Sequence, residues 1–182
     1  MILKTERLIL RPIMISDAND IFEYSKDPDV GPNAGWKPHE NIKETINIME
    51  DIFVGQDEIF GIVLKNTGKM IGSIGFMKDP KRLNTKARML GYSLSKKYWR
   101  HGFMTEAAKE ILKFGFENLN IEIISAYCYP HNTRSKKVLN KCGFEYEGKL
   151  RKCEILYNGE TFDNECYSIL ESGFKNNKKT VI

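Results

Sequence analysis

The stretch Met89-Leu90-Gly91-Tyr92-Ser93-Leu94-Ser95-Lys96-Lys97-Tyr98-Trp99-Arg100-His101-Gly102-Phe103-Met104-Thr105-Glu106 decides the reading of this chain. It opens as an apolar strand with a glycine inside it, a mark of a bulge or a close backbone approach. It then turns through basic residues around Gly102 and enters the clearest helix in the sequence, residues 105–118. There Ala107, Ala108, Ile111, Leu112 and Gly115 share one face, and Glu106, Lys109, Glu110, Lys113 and Glu117 lie opposite. Residues 121–128 follow as a strand ended by Pro130 and parallel to the first. A helix start exposes unpaired N–H groups and the positive end of the helix dipole, which suits an anion. Gly102 allows close backbone approach, and Lys96, Lys97, Arg100 and His101 add positive charge. Taken alone, the stretch fits a phosphate-holding turn and an ordinary capped turn equally well, because one glycine is a weak motif.

Outward from this centre, Leu8 to Arg11 reads as a strand stopped by Pro12. Ser16 or Asp17 can cap a helix running to about Lys26. Residues 30–39, with Trp36, read as a loop, and Ile42, Ile46, Met49 and Phe53 mark a second helix. Ile59 to Leu64 and Met70 to Phe76 form a hairpin through Asn66-Thr67-Gly68. Beyond the central motif come a short helix from Asn132 to Lys141 and a strand from Phe144 to Arg151. A closing hairpin follows, Ile155 to Tyr157 with Phe162 to Leu170, turning at Asn158-Gly159. The order predicts an α/β (mixed α+β) fold, a mixed sheet with helices on its faces.

Composition bounds the function. At 182 residues the chain predicts a single domain, 1–182, with a short solvated tail from about 173. Hydrophobic residues at 41% and charged residues at 29% are globular values. No apolar run reaches the ~18 residues that span a bilayer, and the start has no sustained apolar segment, so neither a membrane protein nor a secretory leader is expected. Cys128, Cys142, Cys153 and Cys166 form no C-x-x-C pair and have no matching histidine spacing, so no metal and no disulfide scaffold are predicted. The location expected is reducing and cytoplasmic. A net charge of +4 is too small to argue for nucleic acid.

A second cluster, Pro130-His131-Asn132-Thr133-Arg134-Ser135, sets a natural helix cap one turn before a serine. By itself it reads as a capped helix with a surface serine. Together, Tyr98-Trp99-x-x-Gly102-x-x-Thr105-Glu106-Ala107, Asn132-x-x-Ser135 and Lys141-x-Gly143-Phe144 resemble the GNAT superfamily of N-acetyltransferases. Thr5-Glu6-Arg7-Leu8-Ile9-Leu10-Arg11-Pro12, Ser16-Asp17-Ala18, Glu147-Gly148-x-Leu150-Arg151 and Tyr167-Ser168-x-Leu170 resemble its ribosomal-protein-alanine N-acetyltransferase branch. The resemblance covers about residues 3–171.

The resemblance implies a central, mostly antiparallel sheet with two splayed parallel strands and helices on both faces. It implies acetyl-coenzyme A as cosubstrate, with the thioester between the splayed strands. Backbone N–H groups of Arg100, His101, Gly102, Met104 and Thr105 would hold the pyrophosphate. The backbone of Tyr92, Ser93 and Leu94 would bond the pantetheine arm, as would the Asn132 side chain. Ser135 would sit near the sulfur, and an N–H near Tyr92 would serve the oxyanion. Catalytic candidates are therefore Ser135, Asn132 and Tyr92. The chain departs from the pattern at Trp99 and Met104 in the turn, and the Met104 side chain must point away from the phosphates. Leu139 stands where many members carry a tyrosine acid, and Met89 where related sequences often carry glutamate.

Without a strong base, the acceptor is expected to be a low-pKa amine. An α-amine near pKa 8 is about a tenth neutral at pH 7, and a lysine amine about 0.04%. The expected acceptor is a protein or peptide N-terminus, ribosomal or other, with Trp36, Tyr157 and Phe162 candidates for its pocket. Alternatives are a small amine (polyamine, antibiotic or amino acid) and a non-catalytic acyl-coenzyme A binding protein. No nucleic-acid or membrane partner is expected, and the state is monomer or homodimer.

Overall fold

The computed structural model describes residues 1–179, with side chains described through Lys175. In chain order the elements are β1 (Leu3–Lys4), β2 (Leu8–Arg11), α1 (Ala18–Ser25), α2 (Ile42–Ile52), β3 (Ile59–Leu64), β4 (Met70–Lys78) and β5 (Ala87–Leu94). They continue with α3 (Phe103–Asn118), β6 (Ile123–Cys128), α4 (Thr133–Lys141), β7 (Glu145–Ile155), β8 (Thr161–Leu170) and α5 (Glu171–Lys179). The strands form a mixed sheet in the order β1-β2-β3-β4-β5-β6-β8-β7, mostly antiparallel, with β5 and β6 parallel. This is the α/β class read from the sequence. Among the described residues no helix is long and apolar enough to cross a membrane.

Two compact units make up the chain. The first comprises Met1–Gly75 with Tyr92–Glu110. Its core gathers Ile13, Ala18, Ile21, Tyr24, Val30, Met49, Ile59, Val63 and Met70, with Trp36 and Trp99 packed against them. β3 is buried along its whole length, which is why it reads as an unbroken apolar run and not as an alternating one. At Gly72 a Cβ would lie 2.3 Å from the Ser93 carbonyl oxygen, so this close backbone approach requires glycine. Asn41 caps α2 by accepting from the Glu44 N–H at 2.9 Å. The cap expected at Ser16 or Asp17 takes another form. The Asp17 carboxylate accepts from the Met14 N–H at 2.9 Å, closing a 3₁₀ turn over Ile15–Asp17, and receives both ends of the Arg11 guanidinium at 2.8 and 2.6 Å.

The second unit comprises Phe76–Gly91 with the chain from Ile111 onward. Here β5 pairs with β6 in parallel from Ala87↔Ile123 to Met89↔Ser125, and β6 pairs antiparallel with β8 along its full length. Ile111, Leu112, Ile124, Leu139, Phe144 and Ile169 supply the buried apolar surface. A Cβ on Gly115 would meet the Phe76 ring at 2.8 Å, so α3 packs here through a small residue. Two sequence expectations change. The strand from Phe144 and the first arm of the closing hairpin are one strand, β7, which keeps pairing with β8 past register shifts at Tyr146/Gly148 and Leu150/Glu154. A bulge absorbs irregular residues without ending the strand, which hydropathy alone cannot show. The segment read as a solvated tail from about 173 lies in α5, where the Phe174 ring packs on Phe116 at 5.1 Å. Residues 180–182 lie outside the described residues.

Candidate active site

In the first unit the strand β5 delivers Tyr92, Ser93 and Leu94 to a turn that opens α3. Ser93 is buried, with its hydroxyl 3.0 Å from that of Ser73. The Leu94 carbonyl accepts the indole N–H of Trp99 at 2.8 Å. Trp99, read from sequence as a departure, thus ties the turn back to the strand end. Arg100 and Gly102 both take positive φ, 67° and 81°. At Gly102 a Cβ would meet only the Arg7 guanidinium, at 3.5 Å, so backbone conformation rather than space calls for glycine there. The Glu106 N–H donates to the Gly102 carbonyl at 3.0 Å, so Gly102 is the last residue before the helix. Met104 is 6% exposed, so its side chain lies in the protein interior.

The charges around this turn are arranged differently from the sequence expectation. Lys96 pairs with Asp29, and Lys97 with Glu23 at 2.6 Å, so both are committed to carboxylates. Lys97 and Lys69 together hold the Glu23 carboxyl down to about 2. The histidine ring of residue 101 stacks on Phe103.

Sequence reasoning missed Arg7 as part of this turn. Its side chain donates to Glu106 Oε2 from Nε at 2.7 Å and to the His101 carbonyl from Nη1 at 3.1 Å, and it lies over the Phe103 ring at 4.4 Å. The Arg7 backbone N–H and the Thr5 hydroxyl donate to Glu106 Oε1. Burial pushes the Glu106 carboxyl up, but these bonds outweigh it and hold the group below its ordinary value. A carboxylate in the first turn of an anion-binding helix would repel phosphate; here it is drawn to the amino-terminal segment. The signal was present in Thr5-Glu6-Arg7, but its partner lies about a hundred residues away.

In the second unit Asn132 caps α4, its side-chain oxygen accepting from the Ser135 N–H at 3.1 Å. The Asn132 N–H donates to the Tyr129 carbonyl at 2.9 Å. The Ser135 side chain neighbours the Cys128 thiol, which burial pushes up to about 11. Leu139 is 1% exposed and belongs to the core. The expected pocket residues fall in separate units. Trp36 packs in the first, with Gly31 beneath its indole. Tyr157 is exposed at the tip of the β7–β8 hairpin in the second, where Phe162 packs on Tyr129 and His131.

A further network surrounds the loop after β4. The Tyr127 hydroxyl donates to buried Asp79 at 2.9 and 3.0 Å, and Arg82 donates to the Ser125 hydroxyl at 2.7 Å and to Glu147. Asp79 also accepts from the Lys81 N–H at 2.8 Å. With its oxygens so occupied it anchors the loop.

The family model for the acetyltransferase (GNAT) domain matches residues 7–145. The chain belongs to the GNAT acetyltransferase family. It is an N-acetyltransferase, and the family transfers an acetyl group from acetyl-coenzyme A to an amine. Among curated relatives, the N-acetyltransferase p20 of Bacillus licheniformis is 35% identical over 174 residues, 93% of this chain and 96% of that protein. A GNAT-family acetyltransferase structure from Bacillus anthracis superposes with a TM-score of 0.84 at 31% identity, covering 94% of this chain and 99% of that one. The ribosomal-protein-S5-alanine acetyltransferase structure from Vibrio fischeri gives 0.72 at 26% identity, over 96% and 98%.

Proposed function

We propose that this GNAT enzyme acetylates α-amino groups at protein or peptide N-termini, by direct attack of the amine in a ternary complex. The reading is carried by apolar side chains at two positions where the family resemblance would place proton-transfer groups. Leu139 is sealed in the core, and Met89 stands on β5 where related sequences often carry glutamate. A chain so equipped favours an amine that is already partly neutral at pH 7. Similarity to a ribosomal-protein-S5-alanine acetyltransferase points the same way.

Bound acetyl-coenzyme A supplies the acetyl thioester. The turn suits its pyrophosphate on three grounds: positive φ at Arg100 and Gly102, Met104 turned inward, and Glu106 drawn to Arg7. Backbone N–H groups of Arg100, His101, Gly102, Met104 and Thr105 would hold the phosphates. The backbone of Tyr92, Ser93 and Leu94 and the Asn132 amide would hold the pantetheine arm. With the Leu94 carbonyl accepting from Trp99, the other backbone groups of this strand end carry most of that role. The Tyr92 N–H would donate to the oxyanion, and the Ser135 hydroxyl would hydrogen-bond the departing sulfur. We treat both units as one domain, since the family match runs through both. Four free cysteines, three of them buried, agree with a reducing, cytoplasmic setting.

The test is coenzyme A thiol release with an acceptor panel: peptides beginning Ala, Ser or Met, the same peptides N-terminally blocked but carrying lysine, spermidine, and an aminoglycoside. Release with free N-termini only is expected. Higher kcat/KM on lysine side chains or on a small amine overturns the reading.

A further inference from the structure

Three buried hydroxyls meet behind the strand end that the proposed function assigns to the donor. Tyr24 on α1, Ser73 on β4 and Ser93 on β5 are 3%, 6% and 6% exposed. The Ser73 and Ser93 hydroxyls lie 3.0 Å apart, and the Tyr24 hydroxyl is hydrogen-bonded with both. Burial pushes the Tyr24 phenol up, so it stays neutral and keeps its proton to donate near pH 7. The place of Tyr24 is set independently of this network. One turn earlier on the same side of α1, the Asp20 carboxylate accepts from the Met70 N–H at the start of β4, at 2.9 Å. All of these residues belong to the first unit.

Stability alone does not account for hydroxyls in this place. The surrounding core is apolar, with Ile13, Ile21, Met49 and Met70. A phenylalanine and two alanines would fill nearly the same space. Replacing every partner of a buried hydrogen bond by apolar groups of like shape is close to neutral for stability. What an apolar set lacks is direction, whereas a fully satisfied buried network rigidifies its members in one arrangement. What is held here is the end of β5. Ser93 lies between Tyr92 and Leu94, so the peptide groups on either side of its Cα carry the Tyr92 carbonyl and the Leu94 N–H. The Ser95 N–H donates to the Ile71 carbonyl at 2.8 Å, and the Leu94 carbonyl takes the Trp99 indole N–H. Those bonds fix the strand end through its backbone. The Ser93 hydroxyl ties it to α1 and β4 through a side chain.

We propose that the hydroxyls of Tyr24, Ser73 and Ser93 align the donor's pantetheine arm, by setting the peptide groups of Tyr92, Ser93 and Leu94 that bond it. This inference rests on the reading of the β5 end as the pantetheine site and names the side chains that align that site. All three act through the backbone and are positioning residues.

The test is calorimetric binding to the full chain of two probes, coenzyme A and adenosine 3′,5′-bisphosphate, which lacks the pantetheine arm. The variants are Tyr24→Phe, Ser93→Ala, and the triple change Tyr24→Phe with Ser73→Ala and Ser93→Ala, each with a thermal melt. In the single variants coenzyme A should bind about five- to tenfold more weakly, the worth of about one hydrogen bond, and the bisphosphate within about twofold of the unaltered protein. The triple variant leaves no hydroxyl short of a partner. It should regain most of the melting temperature that the single variants lose and keep their weakened coenzyme A binding. A merely structural role would let affinity return with stability, and that result overturns the proposal. Equal weakening of both probes overturns it too. So does unchanged coenzyme A affinity in the single variants of a protein that prefers coenzyme A to the bisphosphate, a result that leaves the pantetheine site standing. Coenzyme A bound no more tightly than the bisphosphate by the unaltered protein would sink the pantetheine site itself, and the inference with it.

Discussion

Replacing Arg7 by alanine isolates the brace on the proposed pyrophosphate turn. The change removes the guanidinium bonds to Glu106 Oε2 at 2.7 Å and to the His101 carbonyl at 3.1 Å, and the stacking on Phe103. A hydrogen bond to a charged group contributes about 1.5–3 kcal/mol when sheltered, and exposed ion pairs much less. The Arg7 side chain is 43% exposed and that of Glu106 17%, so the discounted sum is about 1–2 kcal/mol. Glu106 is then released beside the proposed site of a dianion, a further penalty that arises only when phosphate is bound. The expected result is a rise of about five- to thirtyfold in KM for acetyl-coenzyme A, with kcat within about threefold. The deciding control is S-acetylpantetheine, which has no pyrophosphate and should show a KM within about twofold of the unaltered enzyme. Adding Glu106→Gln to the Arg7 variant should recover part of the loss by removing the freed charge. Equal increases in KM for both donors would show general damage instead of a lost brace, and no change in either would refute the reasoning.

Trp99→Phe keeps the aromatic packing and deletes the indole N–H that reaches the Leu94 carbonyl, so stability should fall by about 0.5–1.5 kcal/mol in urea unfolding. Its KM for acetyl-coenzyme A should rise, because the strand end and the turn lose their tie. For Asp17, burial pushes the carboxyl up, but the bonds from Arg11 and the Met14 N–H outweigh it and hold it below its ordinary value. A carboxyl lowered by folding contributes stability above its unfolded pKa near 4 and loses it as pH falls through the folded value. Asp17→Asn should therefore destabilise the protein clearly at pH 7 and progressively less below pH 4, read from thermal melts across that range.

Much of the candidate site was legible because its groups are close in sequence. Gly102 and Asn132 act on their immediate neighbours, one through a positive φ and one through a cap, and local chemistry announces both. The basic residues 96 and 97 looked equally legible and were misleading. Their charges go to Asp29 and Glu23, some seventy residues earlier, and no local pattern records such a pairing. Glu154 went unremarked for the same reason. A glutamate on a polar strand reads as a solvated face until Tyr129 and Asn164 are found holding it.

The sequence by itself determined most element types, the strand–turn–helix–strand order, and the acetyltransferase family. Hydrophobic period, caps and glycine positions are local properties, and the family motifs lie in short runs. Tertiary structure alone decided the strand order of the sheet, the continuity of β7 through its irregular residues, and the distant partners of Arg7, Lys96 and Lys97. The physical reason is that a charge acts on whatever the fold brings within a few ångströms. Arg7 and Glu106, ninety-nine residues apart, meet at 2.7 Å, and only folding of the backbone can bring that about.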